Sequence, residues 1–207
     1  MGLKRKELVQ TSTTPTVTKI ETKEYTQEGK WNHCYLSQKK LAPPIVSDHL
    51  GRLYNKESVL ELLVDPSKFS QGQRVGVKHI TSLKDIVELK IKQRNGNGRF
   101  ICSVTGELLG SGSTKAVYLV ECGDVFLEKC LKFDDSLKCP VCQVSYDKRN
   151  AIVLNSTDEE SIKKLEDRLT SLKKDGLSHS LKKSKSNKRK KHIDQPSTPI
   201  NIKKPKI

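Results

Sequence analysis

The sequence predicts an α+β fold in which two small ββα modules stand in tandem, followed by a C-terminal helix and a disordered basic tail. A short pattern of cysteine, apolar strand, glycine turn and aromatic residue occurs twice along the chain. A helical apolar period follows the second copy, and low-complexity Lys- and Ser-rich sequence follows that period. Hydrophobic residues make up only 34% of the 207 residues, which is too little for one large core.

The repeat is the most informative of these features. The first copy consists of Cys34-Tyr-Leu-Ser37, the apolar run Pro44-Ile-Val46, Gly51-Arg-Leu-Tyr54 and Val59. The second copy consists of Cys102-Ser-Val-Thr105, Tyr118-Leu-Val120, Gly123-Asp-Val-Phe126 and Leu131. In both copies the spacing predicts a strand that leads into a helix whose first turn packs back on the aromatic residue. A ββα centre of this kind is typical of RING and U-box modules.

The first part of the chain divides into an arm, a module and a linker. Residues 1–28 are predicted to be a weakly ordered arm, because residues 10–28 have no apolar period. Residues 29–66 form the first module, and its helix over residues 56–64 ends where Asp65-Pro66 follows. Its predicted core consists of Trp31, Leu36, Ile45, Leu53, Tyr54 and Val59. Residues 67–98 form a linker that contains a loop of Gly-containing turns, a turn and short strand over residues 79–91, and a turn at Asn95-Gly96-Asn97-Gly98.

The second module spans residues 99–155, with strands predicted at residues 117–120 and 151–154 and a short helix at residues 126–133. An amphipathic helix over residues 156–174 follows it. This helix is predicted to begin with a capping box over Thr157-Asp-Glu-Glu160, and its apolar face consists of Ile162, Leu165, Leu169 and Leu172. Residues 175–207 are predicted to be a disordered basic tail.

Cys139-Pro-Val-Cys142 is the strongest local signal of chemistry in the chain. Two cysteines at this spacing let both thiolates reach one tetrahedral zinc ion, which then needs two further ligands. Cys122 and Asp124 lie upstream at a suitable distance; Asp124 stands where RING-type modules have histidine, and a carboxylate oxygen can ligate zinc. The sequence therefore predicts one zinc ion per chain, bound by Cys122, Asp124, Cys139 and Cys142. The alternative is a metal-free knuckle held by hydrogen bonds.

The other three cysteines are assigned to structure. Cys130 competes with Asp124 as the fourth ligand, but its place in the predicted short helix favours a small buried apolar residue. Cys34 and Cys102 each lack a second cysteine three residues on, where a hydroxyl residue stands instead. Hydrogen bonds are expected to replace metal in these two loops, as in U-box modules. The hydroxyl residues are Ser37 and Thr105.

No catalytic arrangement is found in the sequence. The five His are scattered, and His33 and His49 are interpreted as surface or supporting residues. A phosphate-binding Gly-rich loop, a His-Glu-x-x-His pair and a Gly-x-Ser-x-Gly elbow are all missing, and no small-molecule substrate is indicated. At most the protein is a ligase scaffold that contacts a ubiquitin- or SUMO-conjugating enzyme through Val104 and Pro140. Gln143 follows the last knuckle cysteine where active ligases often have Arg, which lowers the case for strong ligase activity.

The positive charge is concentrated in the tail. The chain carries 39 Lys and Arg against 24 Asp and Glu, a formal net charge of +15, and residues 173–207 contain twelve Lys or Arg and two Asp. Such a surplus favours a polyanionic partner such as nucleic acid, or a tail that only keeps the chain in solution. No apolar run approaches the length of a membrane span, and no signal-peptide core is present. Two basic clusters predict nuclear import: Lys182, Lys183, Lys188, Arg189, Lys190 and Lys191.

The sequence resembles the replication termination factor 2 family over about residues 4–172. The resemblance is carried by Arg5-Lys-Glu-Leu-Val9, Trp31-Asn-His-Cys-Tyr-Leu-Ser37, Leu50-Gly-Arg-Leu-Tyr-Asn-Lys56, His79-Ile-Thr-Ser-Leu-Lys-Asp-Ile-Val-Glu-Leu89, Phe100-Ile-Cys102 and Ile152-Val-Leu-Asn155. It implies a nuclear protein that acts at replication forks or termination sites, with a link to pre-mRNA splicing in some members. The family's RING-like segment also looks like the single-zinc SP-RING of SUMO ligases.

Three functions follow as rival hypotheses. The first is a nuclear adaptor in replication termination or fork stability that binds replisome proteins. The second is a splicing-associated factor whose modules bind spliceosome proteins. The third is an active ubiquitin or SUMO ligase. The partners expected are therefore proteins of either machinery, with a conjugating enzyme or nucleic acid as additional candidates and no membrane.

Overall fold

The structure is a computed structural model that describes residues 28–94, 98–111, 114–132 and 136–183. Within these ranges the fold is mixed α+β: short antiparallel strands form small sheets, and a long helix lies near the C-terminal end. The prediction of an α+β chain with a C-terminal helix is therefore confirmed. No helix in the described ranges is both long and apolar enough to cross a bilayer. The predicted arm lies outside these ranges up to residue 27, and residues 28–32 are helical.

The first sheet has the strand order β2-β1-β3 and consists of β1 (Ile45–Ser47), β2 (Leu53–Asn55) and β3 (Val87–Glu88). Helix α1 (Lys56–Val64) follows β2 directly and ends at Asp65, before Pro66, where the sequence predicts its end. The predicted core of this region is also confirmed, since all six side chains are buried: Trp31, Leu36, Ile45, Leu53, Tyr54 and Val59.

The predicted linker differs from the structure in two ways. Where a loop of Gly-containing turns was expected, the chain forms helix α2 (Gln71–Gly76), which has a reciprocal capping box between Ser70 and Gln73. That capping pattern is a helix signal that the two glycines obscured. The strand at the end of the segment is β3, and it belongs to the first sheet rather than to a linker, because it pairs with β1. Residues 95–97 of the predicted turn lie outside the described residues.

The second sheet has the strand order β7-β6-β8 and consists of β6 (Ala116–Leu119), β7 (Val125–Leu127) and β8 (Ala151–Val153). A separate hairpin precedes it and pairs β4 (Lys92–Gln93) with β5 (Phe100–Ile101). The short helix predicted at residues 126–133 is wrong at its start, since Phe126 and Leu127 continue a buried strand. Only a 3-10 turn over Glu128–Leu131 follows, and residue 133 lies outside the described residues.

Helix α3 (Glu159–Lys174) confirms the predicted C-terminal helix, but its N-cap differs from the prediction. Asp158 rather than Thr157 caps the helix, because the Asp158 carboxylate accepts the Ser161 N–H at 3.0 Å. Leu165 is buried, and Arg168 on the same helix is buried as well, which no apolar period can predict.

The predicted tail does not start at residue 175. Residues 177–183 turn back in a short strap closed by an antiparallel bridge between Leu177 and Lys183. Within the strap, His179 is only 1% exposed and its Nε2 lies 2.7 Å from the hydroxyl of Tyr118. Arg168 donates to the other ring nitrogen of His179 at 3.0 Å. Because a charged guanidinium must be the donor there, the imidazole is neutral and carries its proton on Nε2. Residues 184–207 lie outside the described residues.

The two three-stranded sheets contact each other through a reciprocal pair of glycines. Gly51 and Gly123 each lie in the turn between the first two strands of their sheet, and both have positive φ, of 73° and 75°. The Gly51 carbonyl accepts the N–H of Asn155, just after β8, at 2.9 Å. The Gly123 carbonyl accepts the N–H of Lys90, just after β3, at 2.7 Å. The glycine turn of each sheet thus packs beside the outer strand of the other sheet, which is β8 for Gly51 and β3 for Gly123.

Candidate metal centre

Three turns share one backbone geometry, and each begins at a cysteine: Cys34, Cys102 and Cys139. In each turn the cysteine N–H donates to the carbonyl five residues on at 2.8 Å, and the cysteine carbonyl accepts the N–H four residues on. That fourth residue has positive φ, and the residues flanking each turn form an antiparallel bridge. We call these turns the first, second and third knuckle in chain order. The positive-φ residues are Gln38, Gly106 and Gln143.

Only the third knuckle carries two cysteines, and the fold brings it against the turn between β6 and β7. One possible ligand atom from each of Cys122, Asp124, Cys139 and Cys142 lies within 4.8 Å of the other three. Cys139 is fully buried and its thiol lies 3.4 Å from the Asp124 carboxylate, whereas Cys142 is exposed. The structure therefore brings together the four residues that the sequence singles out, and they could hold a metal ion.

The neighbouring residue Glu121 fixes the β6–β7 turn that supplies half of this group. Its Oε1 accepts the N–H of Asp147 at 3.1 Å and the side-chain amide of Asn150 at 2.6 Å. Asn150 in turn accepts a hydrogen bond from Arg168 of α3 at 2.9 Å. The turn that bears Cys122 is consequently tied to the chain before β8 and to the C-terminal helix.

The electrostatics of the group suit a cation. Burial raises the pKa of the Cys122 thiol and of the Cys139 thiol, and the negative charge of Asp124 adds to the rise at Cys122. Burial opposes ionisation of Asp124 too, yet hydrogen bonds from the thiols of Cys142, Cys122 and Cys139 hold the pKa of its carboxyl below the usual value. Three thiols thus surround one carboxylate, and a divalent ion bound among them would displace thiol protons.

The donor set fits a zinc-type ion. Thiolate sulfur at about 2.3 Å and carboxylate oxygen at about 2.0–2.2 Å are ordinary zinc ligands, and four of them complete a tetrahedron. An ion held there would join the third knuckle to the β6–β7 turn. These residues leave no open coordination position for a reacting molecule, so the arrangement is one that cross-links the chain.

In the first and second knuckles, hydrogen bonds to the cysteine sulfur stand where the third knuckle has its metal-ligand group. The Cys34 sulfur accepts the N–H of Ser37 at 3.5 Å and that of Asn55 at 3.3 Å. The Cys102 sulfur accepts the N–H of Thr105 at 3.4 Å and that of Leu127 at 3.4 Å. Each sulfur is therefore held by its own turn and by the end of the second strand of its sheet.

Cys130, the competing ligand, is buried and stands apart from the four-residue group. Burial raises the pKa of its thiol to about 11, and the nearby Cys102 adds to the rise. A protonated, buried thiol of this kind behaves as a small apolar side chain. This matches the role that the sequence favours for Cys130.

A second cluster of possible metal ligands was missed by sequence reasoning. Asp48, His49 and His79 each offer one ligand atom within 4.8 Å of the other two. His33 is exposed, as expected, but His49 is only 7% exposed and is not a surface residue. The sequence holds one usable signal, a carboxylate and a histidine side by side in a tight turn. Their third member is 31 residues away from Asp48 along the chain.

The residues predicted to contact partners stand at the surface to different degrees. Val104, in the second knuckle, is 45% exposed, and Pro140, in the third, is half-buried. Two further apolar side chains of the third knuckle, Val141 and Val144, are 41% and 45% exposed. Lys182 and Lys183 are exposed, whereas Lys188, Arg189, Lys190 and Lys191 lie outside the described residues.

Comparison with known proteins places this geometry in context. The family model described as Rtf2 RING-finger matches residues 3–206. A relative from Schizosaccharomyces pombe, named Splicing factor rtf2, is 33% identical over 183 residues, which are 85% of this chain and 74% of the relative. Relatives from Rattus norvegicus and Gallus gallus are named Replication termination factor 2 and are 37% identical over 149 and 160 residues. These matches cover 64% and 68% of this chain but only 48% and 52% of the relatives, so the chain spans about half their length.

Proposed function

Because the chain belongs to the Rtf2 RING-finger family, we propose that it is a nuclear adaptor whose RING-like modules bind proteins at sites of replication termination or at replication forks. The observation that carries this proposal is the set of three knuckles, which presents exposed apolar side chains on backbone turns fixed by hydrogen bonds and by the four-residue metal group. Rigid loops with exposed apolar residues are suited to binding proteins. The relatives named Replication termination factor 2 support the process.

We propose further that the two three-stranded sheets are the cores of tandem RING-like or U-box-like modules. Their strand orders correspond, and in both a cysteine sulfur accepts an N–H from the end of the second strand. When the two sheets are aligned in this way, Leu50 and Arg52 of the β1–β2 turn take the positions that Cys122 and Asp124 have in the β6–β7 turn. The first module therefore lacks this set of ligands. The division into modules at residues 29–66 and 99–155 follows the same correspondence, with β3 added to the first.

The metal we propose for the second module is a single zinc ion bound by Cys122, Asp124, Cys139 and Cys142. The donor set, the fixed β6–β7 turn and the RING-finger family support this identity. Zinc in this position is structural: it holds the third knuckle, and with it Pro140, Val141 and Val144, in one orientation. The metal would thus contribute to function indirectly, by fixing the third-knuckle surface that binds protein partners.

A pull-down from nuclear extract tests the adaptor proposal. Tagged full-length protein is compared with Val104→Glu, and the control is Val64→Glu, which changes an 84% exposed valine in α1, outside the knuckles. We expect the intact protein to recover replisome proteins and Val104→Glu to lower their recovery about tenfold, because an apolar interface residue contributes roughly 1–2 kcal/mol. Val64→Glu should recover as much as the unchanged chain. Equal recovery by Val104→Glu would remove this residue from the interface.

Splicing is the second candidate, and one observation favours it. The relative named Splicing factor rtf2 aligns with 85% of this chain, more than the relatives named for replication. The same pull-down discriminates between the two, because recovery of spliceosome proteins without replisome proteins would assign the chain to splicing. Autoconjugation by purified protein, supplied with activating and conjugating enzymes and ubiquitin or SUMO, would point to the third hypothesis instead.

The basic tail is proposed to direct nuclear import. Changing Lys188, Arg189, Lys190 and Lys191 to alanine in a fluorescent fusion should move the protein substantially into the cytoplasm, because this change removes four of the positive charges that import receptors bind. Fluorescence microscopy measures the effect as the share of the fluorescence that lies in the nucleus. The matched control changes four exposed lysines of α3 and the neighbouring turns, which lowers the charge equally without touching the cluster: Lys148, Lys163, Lys164 and Lys174. A fusion that stays wholly nuclear would exclude this cluster as the import signal.

A further inference from the structure

The turn between β1 and β2 holds a carboxylate that is unusually well fixed. Asp48 is fully buried, and its Oδ1 accepts the backbone N–H groups of Leu50 and Arg52, both at 2.9 Å. Its Oδ2 accepts the Tyr54 hydroxyl at 2.8 Å and lies 2.8 Å from Nε2 of His79. Burial alone would raise the pKa of Asp48, but these hydrogen bonds hold it below the usual value. A buried anion with a fixed position therefore stands at the centre of the cluster.

His49 is the neighbour that the hydrogen-bond network does not use. Only 7% of the residue's surface is exposed, and within the described part of the chain its ring contacts the rings of His79 and His179 but makes no hydrogen bond. Its ring lies edge-on to that of His79, with centroids 4.6 Å apart, and one of its nitrogens points into the cluster. A His49 nitrogen that forms no hydrogen bond lies within 4.8 Å of the ligand atoms of Asp48 and His79, close enough to bind the same ion.

His79 gives the cluster a route to solvent. It lies between α2 and β3, in a segment separate from the β1–β2 turn, and its side chain is 20% exposed. An ion could therefore enter beside His79 and reach Asp48 and His49 behind it. The rest of the shell is already in place, because Tyr54 and two backbone N–H groups orient the carboxylate.

We propose that Asp48, His49 and His79 form a second divalent-metal site, of the zinc class, in which water supplies the fourth ligand. Two imidazole nitrogens and one carboxylate oxygen are typical zinc ligands, and three protein ligands leave one position for water. This site is separate in the sequence and in its chemistry from the thiol-rich group of the second module. It does not depend on the proposed function, and it revises the expectation that the first module holds no metal.

The site closes on an ion by small movements. Nε2 of His79 and Oδ2 of Asp48 are 2.8 Å apart across a hydrogen bond, whereas two tetrahedral zinc ligands at about 2.0–2.1 Å from the ion stand roughly 3.3 Å apart. The ion replaces the proton in that hydrogen bond and recruits the unused nitrogen of His49. Because metal must displace an existing hydrogen bond, this site is expected to exchange its ion more readily than the thiolate group. It would fasten the β1–β2 turn to the segment before β3.

Titration with cobalt tests the proposal in the full chain that has first been given one equivalent of zinc, which the thiol-rich group of the second module is proposed to take. Cobalt bound by nitrogen and oxygen gives visible d–d bands without the near-ultraviolet charge-transfer band that thiolate ligands produce, so the spectrum distinguishes the two sites. We expect one equivalent of added cobalt to bind with d–d bands alone. His49→Gln and His79→Gln should each weaken this binding by more than about 100-fold, since even residues that only support a ligand contribute 10–100-fold.

Two controls and one independent measurement make the outcome decisive. His33→Gln changes an exposed histidine and should leave the added cobalt bound, and Cys142→Ser should leave its d–d bands unchanged. Imidazole nitrogen NMR of the unmutated chain should show two histidines, His49 and His79, shifting on zinc addition, and this measurement does not require either variant to fold. The proposal is overturned if the unmutated chain binds no added cobalt, if both variants bind it as tightly, or if the shifted resonances belong to other histidines.

Discussion

Cys139→Ser is expected to release the metal of the second module and to destabilise that module more than any apolar truncation would. Cys139 begins the third knuckle and is fully buried against Asp124, and serine oxygen is a poor replacement for a thiolate on zinc. In small zinc-dependent peptides the bound ion contributes about 10–16 kcal/mol, so metal loss removes a large share of local stability. The zinc content found by elemental analysis should fall by one ion per chain, and thermal unfolding should move to a markedly lower temperature.

Two other cysteines are the matched controls for this result. Cys130→Ser and Cys34→Ser change buried thiols that lie outside the four-residue group, so both should keep the zinc content of the unmutated chain. Loss of zinc in Cys130→Ser would make Cys130 the fourth ligand in place of Asp124. Unchanged zinc content in Cys139→Ser would contradict the site itself.

The features that sequence predicts well are those set by neighbours in the chain. Helix α1 ends before Pro66 because a proline interrupts the helical hydrogen bonds, and that rule requires no knowledge of the fold. The pair Cys139 and Cys142 is legible from its spacing alone. Cys122 and Asp124 could be added because they form a Cys-x-Asp pair upstream of these two cysteines, where RING-type modules have Cys-x-His.

The features that sequence misses depend on long-range contacts. His79 joins Asp48 only because α2 and its flanking loops return the chain to the first sheet. Arg168 looks like a solvent-facing position of α3, yet it is buried because His179 of the strap and Asn150 before β8 both bind its guanidinium. Such polar networks leave no periodic pattern, since each member comes from a different element.

The contact between the two sheets is the other place where adding a single side-chain carbon should strongly lower the stability of the fold. Gly51 has a φ of 73°, a conformation that costs an L-residue roughly 1–2 kcal/mol. A Cβ added there would lie 2.0 Å from the carbonyl oxygen of Val153 in β8, and this neighbour is backbone that no rotamer change can move aside. Gly123 meets the Glu88 carbonyl oxygen of β3 at 2.3 Å in the same way.

Gly51→Ala is therefore expected to destabilise the protein by about 2–5 kcal/mol, the sum of the backbone cost and of an overpacking cost of roughly 1–3 kcal/mol. For a chain of this size that lowers the melting temperature by roughly 4–20 °C. Chemical denaturation followed by tryptophan fluorescence measures it through Trp31, the single tryptophan, which is buried in the core. Gly123→Ala should be comparably destabilising.

Gly106→Ala separates the two causes. Gly106 has nearly the same φ, 74°, but no atom lies within 4 Å of an added Cβ, so this variant carries the backbone cost without the clash. The difference between Gly51→Ala and Gly106→Ala then measures how firmly the first sheet is docked on β8. If Gly51→Ala costs no more than Gly106→Ala, the glycine turn moves off β8 cheaply and the two sheets behave as independent modules. A difference of about 1–3 kcal/mol instead means that the sheets fold as one unit, because the turn cannot leave β8 without losing the Asn155 hydrogen bond as well.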